Sequence, residues 1–265
     1  MNDAAAGAAI HPTAIVETGA EIAPGVEIGP YVVIGPKVRI GAGSRVGAHT
    51  VVSGDTVIGR ENRIHAFASI GDAPQHLAYR DEPTRVVIGD GNVIREFVTI
   101  NRGTATGGGV TALGDGNYVM AYAHVAHDCA LGSRIIMANN ASLSGHVEVG
   151  DGANLAGFAK VHQFCRIGAY SMIAADAVCL QDVPPFVLAQ GAPAEPRGIN
   201  TVGLRRRHVP AGAIAELKRA FRTVYREGLS LNDAIAALAG GAYGSDEVRF
   251  LTEFLKSLSR RRLAR

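Results

Sequence analysis

The sequence predicts a mainly β protein, in which a parallel β-helix of hexapeptide repeats is followed by a small α-helical C-terminal domain. An aliphatic or small apolar residue returns at every sixth position from Ile10 to Cys179, with two interruptions. Neither an α-helix nor an alternating strand has a six-residue period, whereas a parallel β-helix has one. The chain contains no Trp and only 6% aromatic residues, which agrees with a narrow interior filled by stacked aliphatic side chains.

Three hexads make one triangular coil of about 18 residues, so the repeats predict about eight or nine coils. Adjacent strands are about 4.8 Å apart, which predicts a solenoid roughly 40 Å long. Residues 1–9 are assigned to an N-terminal lead-in, residues 10–196 to the β-helix and residues 197–265 to the helical C-terminal domain.

The two interruptions of the period predict loops that leave the solenoid. His76 and Glu82 occupy hexad positions, which predicts a loop near residues 71–85. A Gly-rich stretch shifts the apolar phase by one residue and predicts a second loop near residues 101–112. Rigid solenoids usually carry binding residues on such loops.

Beyond Cys179 the six-residue period ends. The prolines of residues 181–200 predict an extended connector. Three amphipathic helices are predicted after it, at residues 213–226, 231–238 and 246–258. Each helix has one apolar face, so this domain is expected to pack on the last coil or on a neighbouring subunit.

Composition and charge exclude some classes of partner. The formal net charge of +2 gives no support for nucleic-acid binding. No run approaches the roughly 20 apolar residues of a membrane span, and the N-terminus lacks a secretory signal pattern, so a cytoplasmic protein without stable membrane insertion is expected. The three cysteines occupy inward repeat positions and are expected to be reduced core residues, with a catalytic thiol as the alternative. They are Cys129, Cys165 and Cys179.

The densest cluster of reactive side chains predicts acyl transfer. His127, His146 and His162 follow inward residues that are 18 positions apart, which predicts a column of three imidazoles. Gly145 lies one coil after His127. Asp128 can fix the tautomer of His127, which can then act as a general base. The backbone N–H of Gly145 can stabilise an oxyanion that forms close to His127.

Zinc chemistry and a purely structural role are the competing interpretations. A β-helix can bring three histidines together between subunits, as in the γ class of carbonic anhydrases. Zinc requires ligands that converge on one point at about 2.0 to 2.1 Å, whereas a column suits an extended substrate, so no metal site is predicted. A non-enzymatic scaffold gives no reason for His127, Asp128 and Gly145 to coincide.

Several short motifs resemble those of a known enzyme family. The chain carries AHVAHDC, ANNASLSGHVEVGD, VHQFC, QDVPP and GLRRR, with INRGT and EPTRVVIGD before them. These motifs closely resemble the UDP-N-acetylglucosamine O-acyltransferase family, over roughly residues 10–260. The resemblance implies a homotrimer of left-handed parallel β-helices with active sites in the clefts between subunits.

The resemblance also implies a reaction and its substrates. The family transfers an (R)-3-hydroxyacyl group from acyl carrier protein to the glucosamine 3-hydroxyl of UDP-N-acetylglucosamine, the first step of lipid A biosynthesis. It implies no metal and no cofactor beyond the phosphopantetheine arm of the donor. The N-acyltransferase of the same pathway is the nearest alternative, but it carries an extra N-terminal uridine-binding domain, whereas the hexads here begin at Ile10.

Individual roles follow from the resemblance position by position. His127 matches the general base, Asp128 its orienting partner and Gly145 the proposed oxyanion donor. The positions matched to substrate binding are His124, His146 and His162 near the sugar nucleotide, and Gln75, Asn200, Arg206 and Arg207 elsewhere. A solvated charge run is the alternative interpretation of residues 205–207.

Three positions depart from the family pattern. His76 stands where the family often has an acidic residue, Ala78 where it often has a lysine, and Val202 where a glutamate often helps to hold the nucleoside. We expect these changes to alter the binding of UDP-N-acetylglucosamine and to leave the chemistry of His127 unchanged.

A further column of small residues predicts an acyl-chain groove. Asn139, Gly157 and Ala175 are 18 positions apart, so they stack in successive coils. Gly157 and Ala175 match family positions that contact the acyl chain, and Ala175 replaces a glycine found where a longer chain is accepted. The hypothesis is an acyl group of about ten to fourteen carbons.

Overall fold

A computed structural model describes residues 7–258 and Leu263. Residues 1–6 of the predicted lead-in, and residues 259–262, 264 and 265 of the predicted C-terminal domain, lie outside this part. Within the described residues three sheets form the three sides of a prism, with 11, 9 and 8 strands, which agrees with the predicted eight or nine coils. Successive strands of each coil lie on successive sides.

Short strands make up the three sides, which we name sheets A, B and C. Sheet A contains β1 (Ala9–Ile10), β4 (Glu27–Ile28), β7 (Arg45–Val46), β10 (Arg63–Ile64), β13 (Val93–Ile94), β16 (Tyr118–Val119), β19 (Ile136–Met137), β22 (Asn154–Leu155), β25 (Met172–Ile173), β27 (Val187–Gln190) and β28 (Glu195–Ile199). Sheet B contains β2 (Ile15–Val16), β5 (Val33–Ile34), β8 (Val51–Val52), β11 (Ser69–Asp72), β14 (Thr99–Asn101), β17 (His124–Val125), β20 (Ser142–Leu143), β23 (Lys160–Val161) and β26 (Val178–Cys179). Sheet C contains β3 (Glu21–Ile22), β6 (Val38–Ile40), β9 (Asp55–Ile58), β12 (Arg85–Ile88), β15 (Val110–Leu113), β18 (Ala130–Leu131), β21 (Glu148–Val149) and β24 (Arg166–Ile167).

The register between coils explains the behaviour of the hexad period. Neighbouring positions in regular coils are 18 residues apart. Residues 73–84 lie between β11 and β12 and raise the separation to 30, whereas residues 102–109 lie between β14 and β15 and raise it to 25. A separation of 30 residues is a whole number of hexads, so the first loop keeps the apolar phase. A separation of 25 residues is one more than four hexads, so the second loop shifts that phase by one residue.

The interior is a stack of aliphatic side chains, as the period predicts. Ile94, Ile100, Leu143 and Leu155 are fully buried. The sulfhydryl groups also lie inside: Cys129, Cys165 and Cys179 are free and buried. Burial raises the pKa of the Cys129 and Cys179 thiols to about 12, so neither is a thiolate nucleophile near neutral pH.

A ladder of buried asparagines joins successive coils at the turns that lead from sheet C to sheet A. The Oδ1 atom of Asn62 accepts the backbone N–H of Asn92 at 2.9 Å, that of Asn92 accepts from Asn117 at 2.8 Å, and that of Asn117 accepts from Ile135 at 2.8 Å. All three asparagine side chains are buried. Each one therefore satisfies a turn amide that water cannot reach.

The predicted connector after Cys179 is extended, but much of it belongs to sheet A. Strand β27 pairs parallel with β25, and β28 pairs antiparallel with β27 at the edge of the sheet. Pro196 in β28 is tolerated because an edge strand has one side without a ladder partner. A hairpin of this kind does not follow the hexad period, so the period gave no sign of it.

Four helices complete the described chain: α1 (Thr201–Arg206), α2 (Ala211–Tyr225), α3 (Leu231–Ala239) and α4 (Asp246–Lys256). The last three agree with the predicted helices to within two residues, whereas α1 was not predicted. Their apolar faces pack together, with Leu217, Leu238 and Leu251 buried. Among the described residues, no helix combines the length and the apolar character needed to cross a membrane.

We predict that Asn92→Ala lowers the free energy of unfolding by about 1–3 kcal/mol, because the buried amide of Asn117 loses its acceptor. The measurement is the denaturant midpoint at fixed protein concentration. Asn232→Ala makes the same change at an exposed position of α3 and serves as the control. Equal midpoints for the two variants would show that the ladder does not stabilise the solenoid.

Candidate active site

The residues predicted to be catalytic lie at one corner of the prism, in the turns that lead from sheet B to sheet C. His127 and Asp128 lie between β17 and β18, and Gly145 and His146 lie between β20 and β21, one coil further on. The turns require a left-handed residue, and Asp128 and His146 take this conformation with φ of 59° and 61°. Two adjacent coils thus present their reactive groups side by side.

His127 forms a hydrogen-bonded pair with the buried carboxylate of Asp128. The Nδ1 atom of His127 is 2.8 Å from Oδ2 of Asp128, and the two side chains are 13% and 1% exposed. The carboxylate also accepts the backbone N–H of Thr104 at 2.8 Å and the hydroxyl of Thr104 at 2.7 Å. Because an ionised carboxylate only accepts hydrogen bonds, Nδ1 carries the imidazole proton and Nε2 is left as the basic atom.

Gly145 lies directly against the imidazole of His127. A Cβ atom at position 145 would lie 2.5 Å from Cε1 and 2.7 Å from Nε2 of that ring, so only glycine fits. In the described chain its amide donates to no backbone acceptor, whereas the next amide, of His146, donates to the carbonyl of His127 at 3.0 Å. The corner therefore holds a basic nitrogen and a free backbone donor next to each other.

The predicted column of three imidazoles is only partly correct. The rings of His127 and His146 have centroids 5.1 Å apart, but the ring stacked on His146, at 4.4 Å, is that of Phe164. Phe164 is the residue 18 positions after His146, whereas His162 is exposed, with its Nδ1 3.3 Å from the carbonyl of Gln163. Strict use of the coil spacing would have identified Phe164.

The first loop also reaches this corner. The ring of His76 meets that of His127 edge to face, with centroids 5.3 Å apart. Gln75, predicted to bind substrate, is the exposed residue before it. Hexad spacing cannot predict this contact, because a loop outside the coil has no register with it.

Two further imidazoles at this site have depressed pKa values. Burial is the main cause of the lowered pKa of His146, to which His127 and His76 add and which Asp128 opposes. His124, whose Nδ1 is 2.7 Å from the hydroxyl of Thr99, has its pKa lowered chiefly by burial and also by His127. Both rings are therefore neutral hydrogen-bonding groups near pH 7.

The predicted nucleotide-binding residues of the C-terminal domain lie elsewhere on the chain. Asn200, Arg206 and Arg207 line a cavity of about 580 Å³ over the outer face of sheet A. The side chain of Asn200 caps α1 through Gly203, and its amide donates to the carbonyl of Tyr170 at 2.9 Å. The guanidinium of Arg207 donates to the carbonyl of Gly152 at 3.2 Å.

Within one chain this second group is remote from His127. Gly152 and Tyr170 belong to the turns from sheet C to sheet A, a different corner from that of His127. The structure therefore does not bring Arg206 and Arg207 together with His127 in a single chain. Val202, also in this cavity, is 60% exposed.

The predicted acyl groove lies at the third corner, between sheets A and B. The amide of Phe158 donates to the carbonyl of Asn139 at 3.0 Å, and that of Asp176 donates to the carbonyl of Gly157 at 3.0 Å. Asn139, Gly157 and Ala175 thus stand in three successive coils. The outer face of sheet B separates them from the corner that holds His127.

The one group of possible metal ligands in the described chain is His127, Asp128 and His146. In this group Nδ1 of His127 faces Asp128 rather than a point shared by all three. Both carboxylate oxygens already accept from Thr104, and Nε2 of His146 is 3.7 Å from Oδ2. The arrangement is that of a hydrogen-bonded acid–base pair, and it does not fit a tetrahedral metal site.

Two family models match the chain. Residues 19–54 match the bacterial transferase hexapeptide model of six repeats, and residues 182–264 match the second domain of UDP-N-acetylglucosamine O-acyltransferase. The first match covers coils of the solenoid. The second covers the edge hairpin and the helices that follow the hexad period.

Relatives that match 77% to 95% of this chain share one enzyme name. The acyl-(acyl-carrier-protein)–UDP-N-acetylglucosamine O-acyltransferase of Burkholderia orbicola is 54% identical over 255 residues, 95% of this chain and 97% of that protein. The enzyme of the same name from Halorhodospira halophila is 55% identical over 203 residues, 77% of this chain and 79% of that protein.

Solved structures agree with these relatives. The UDP-N-acetylglucosamine acyltransferase of Francisella novicida has a TM-score of 0.93 at 39% identity, covering 97% of this chain and 94% of that one. The acyltransferase of Bacteroides fragilis has a TM-score of 0.94 at 36% identity, covering 97% and 100%. The predicted left-handed parallel β-helix of hexapeptide repeats is thereby confirmed. The identity over nearly the whole length of the chain shows that it belongs to the UDP-N-acetylglucosamine O-acyltransferase family.

Proposed function

We propose that this chain transfers an (R)-3-hydroxyacyl group from acyl carrier protein to the glucosamine 3-hydroxyl of UDP-N-acetylglucosamine, the first step of lipid A biosynthesis. The observation that carries the proposal is the hydrogen-bonded pair of His127 and the buried Asp128, with Gly145 directly against the ring of His127. Acyl transfer needs a base for the attacking hydroxyl and a donor for the oxyanion, and this corner holds both. The printed names of the relatives support the two substrates.

In the proposed mechanism His127 carries one proton from the sugar hydroxyl to the leaving thiolate. Nε2 of His127 takes the proton of the sugar 3-hydroxyl as its oxygen attacks the thioester carbonyl, and the carbonyl oxygen becomes an oxyanion that accepts the N–H of Gly145. Collapse of this intermediate breaks the carbon–sulfur bond. The imidazolium returns its proton to the leaving thiolate, which gives an ester and the free phosphopantetheine thiol, while Asp128 stays ionised throughout.

We propose that the active site is completed by a second subunit of a homotrimer. His127 and Ala175 lie at the two corners that flank sheet B. One side of a coil is six residues long, and at about 3.3 Å per residue this face is about 20 Å wide, which is enough for an extended acyl chain. Arg206 and Arg207 lie over sheet A. If sheet A of one subunit packs against sheet B of the next around a closed ring, both groups meet in one cleft.

The proposed reaction needs no metal and no cofactor other than the phosphopantetheine arm of the donor. This proposal is supported by the environment of His127. The hydrogen bond between its Nδ1 atom and the carboxylate of Asp128 activates Nε2 as a base without a metal ion. The proposed location is the cytoplasm, where a carrier protein and a nucleotide sugar are both accessible.

His127→Ala is expected to lower kcat by about 10²- to 10⁴-fold, the usual contribution of a positioned general base. Steady-state kinetics with acyl carrier protein as donor measure it, with thermal unfolding as the check on folding. The control is His11→Ala, which changes an exposed histidine in the first coils, several coils away from His127. A His127→Ala enzyme with near-normal turnover would exclude the proposed base.

Mixing two inactive variants tests the shared site. His127→Ala chains and Arg206→Ala/Arg207→Ala chains are co-expressed, and mixed trimers are isolated. Each mixed trimer then has one interface in three that joins an intact His127 side to an intact arginine side, so about one third of the activity should return. Mixed trimers as inactive as their parents would show that one chain supplies both groups.

Ala175→Gly is expected to move the acyl preference toward longer chains, since removal of a methyl group deepens the groove. A change of about tenfold in the preference ratio corresponds to one methylene in an apolar pocket. Mass spectrometry of the product formed from mixed acyl donors reports both acceptor and chain length. Ala48→Gly, at the same corner in an earlier coil, is the control, and an unchanged product distribution for Ala175→Gly would refute the groove assignment.

A further inference from the structure

The Gly-rich loop of residues 102–109 closes over the carboxylate of Asp128. Thr104, in the middle of this loop, is 4% exposed. Its backbone N–H donates to Oδ1 of Asp128 at 2.8 Å, and its hydroxyl donates to Oδ2 at 2.7 Å. Thr104 therefore donates a hydrogen bond to each of the two carboxylate oxygens.

The Thr104 hydroxyl has two neighbours besides Asp128, which are the backbone amide of Gly107 and the hydroxyl of Thr106, 3.2 Å from Oγ1. Its Oγ1 accepts the backbone N–H of Gly107 at 3.2 Å, which caps the short 3-10 turn Ala105–Gly107. A hydroxyl has one proton, and a carboxylate can only accept. The proton of Oγ1 therefore points to Asp128, on the same oxygen that accepts from Nδ1 of His127.

The glycines of the loop permit this close approach. A Cβ atom at Gly107 would overlap the carboxylate group of Asp128, and one at Gly103 would lie 2.7 Å from Oδ1. A second threonine anchors the other side, because the hydroxyl of Thr111 accepts the backbone N–H of Asp128 at 2.8 Å. The loop and the following strand thus enclose Asp128 on both sides.

We propose that Thr104 is a positioning residue, which holds Asp128 in the orientation that keeps the proton of His127 on Nδ1 and leaves Nε2 free as the base. This inference rests on the proposed function. Thr104 touches neither substrate nor the reacting atoms and acts only through Asp128. The Gly-rich loop is thereby assigned to the catalytic apparatus rather than to substrate contact.

The loss of this hydroxyl has a defined electrostatic consequence. Without the donor, the charge of Asp128 is less well dispersed and stabilises the protonated ring of His127 more strongly. The base is then free only at higher pH, so the acidic limb of the kcat/KM profile moves up. The other titratable groups that face the pair are His76, His124 and His146. Among the described residues the hydroxyl of Thr104 is hydrogen-bonded to Asp128, Thr106 and Gly107 rather than to these rings.

The test compares Thr104→Val and Thr104→Ser. Loss of a hydrogen bond to a charged group should lower kcat about tenfold to a hundredfold in Thr104→Val, with KM for UDP-N-acetylglucosamine unchanged. Thr104→Ser keeps the hydroxyl and should recover most of kcat and the original pH profile. Thr13→Val removes an exposed threonine hydroxyl in the first coils, far from His127, and is the control. If Thr104→Val does not fold, Thr104→Ala removes the same donor.

A cycle with Asp128→Ala separates positioning from a general loss of structure. In that background Thr104→Val should have no further effect on kcat. An equal loss in both backgrounds, wild-type kinetics for Thr104→Val, or a serine variant as impaired as the valine variant would each overturn the inference. Measuring His127→Ala in parallel tells failure of the proposed function from failure of the Thr104 proposal. An active His127→Ala enzyme would refute the proposed function. An inactive His127→Ala enzyme together with normal kinetics for Thr104→Val would refute only the role of Thr104.

Discussion

Backbone hydrogen bonds between adjacent coils fix the positions of the functional groups that the coils carry. The amide of Ala126 donates to the carbonyl of Leu143 at 3.1 Å, and that of Ser144 to the carbonyl of Val161 at 3.0 Å, so each coil takes its register from the next. Side chains 18 residues apart must therefore stack. Gly145 is brought to the ring of His127 by this register and by no contact of its own side chain, since it has none.

The same register keeps three groups of functional residues apart within one chain. Turns at the three corners carry His127, Ala175 and the contact of Arg207 with Gly152. A prism cannot bend to bring its corners together, because its interior is closely packed with aliphatic side chains. A substrate that needs all three groups must lie in a cleft between two prisms, and this geometric constraint favours an oligomeric enzyme.

The parts that follow a period could be predicted from the sequence, the coils from the hexads and α2 to α4 from their apolar faces, whereas parts without a period could not. The period gave the parallel β-helix, the inward cysteines and the contact between Gly145 and His127. It gave no information on the β27–β28 hairpin, on α1 or on His76, because an antiparallel edge and an excursion have no 18-residue register. His162 was assigned to the column by its nearness to Val161, whereas the stacked ring is Phe164.

The Gly-rich loop shows why an interruption of the repeat can matter as much as the repeat. A carboxylate that is 1% exposed is costly to bury as an ion unless donors surround it. The coils supply one of these donors, His127, whereas the hydroxyl and amide of Thr104 come from residues that the hexad pattern excludes. A regular coil would have placed a turn with side chains where Gly103 and Gly107 now stand, and Asp128 would have lost two of its donors. The seam between the regular solenoid and its Gly-rich loop is thus where a general base can be held beside a buried charge.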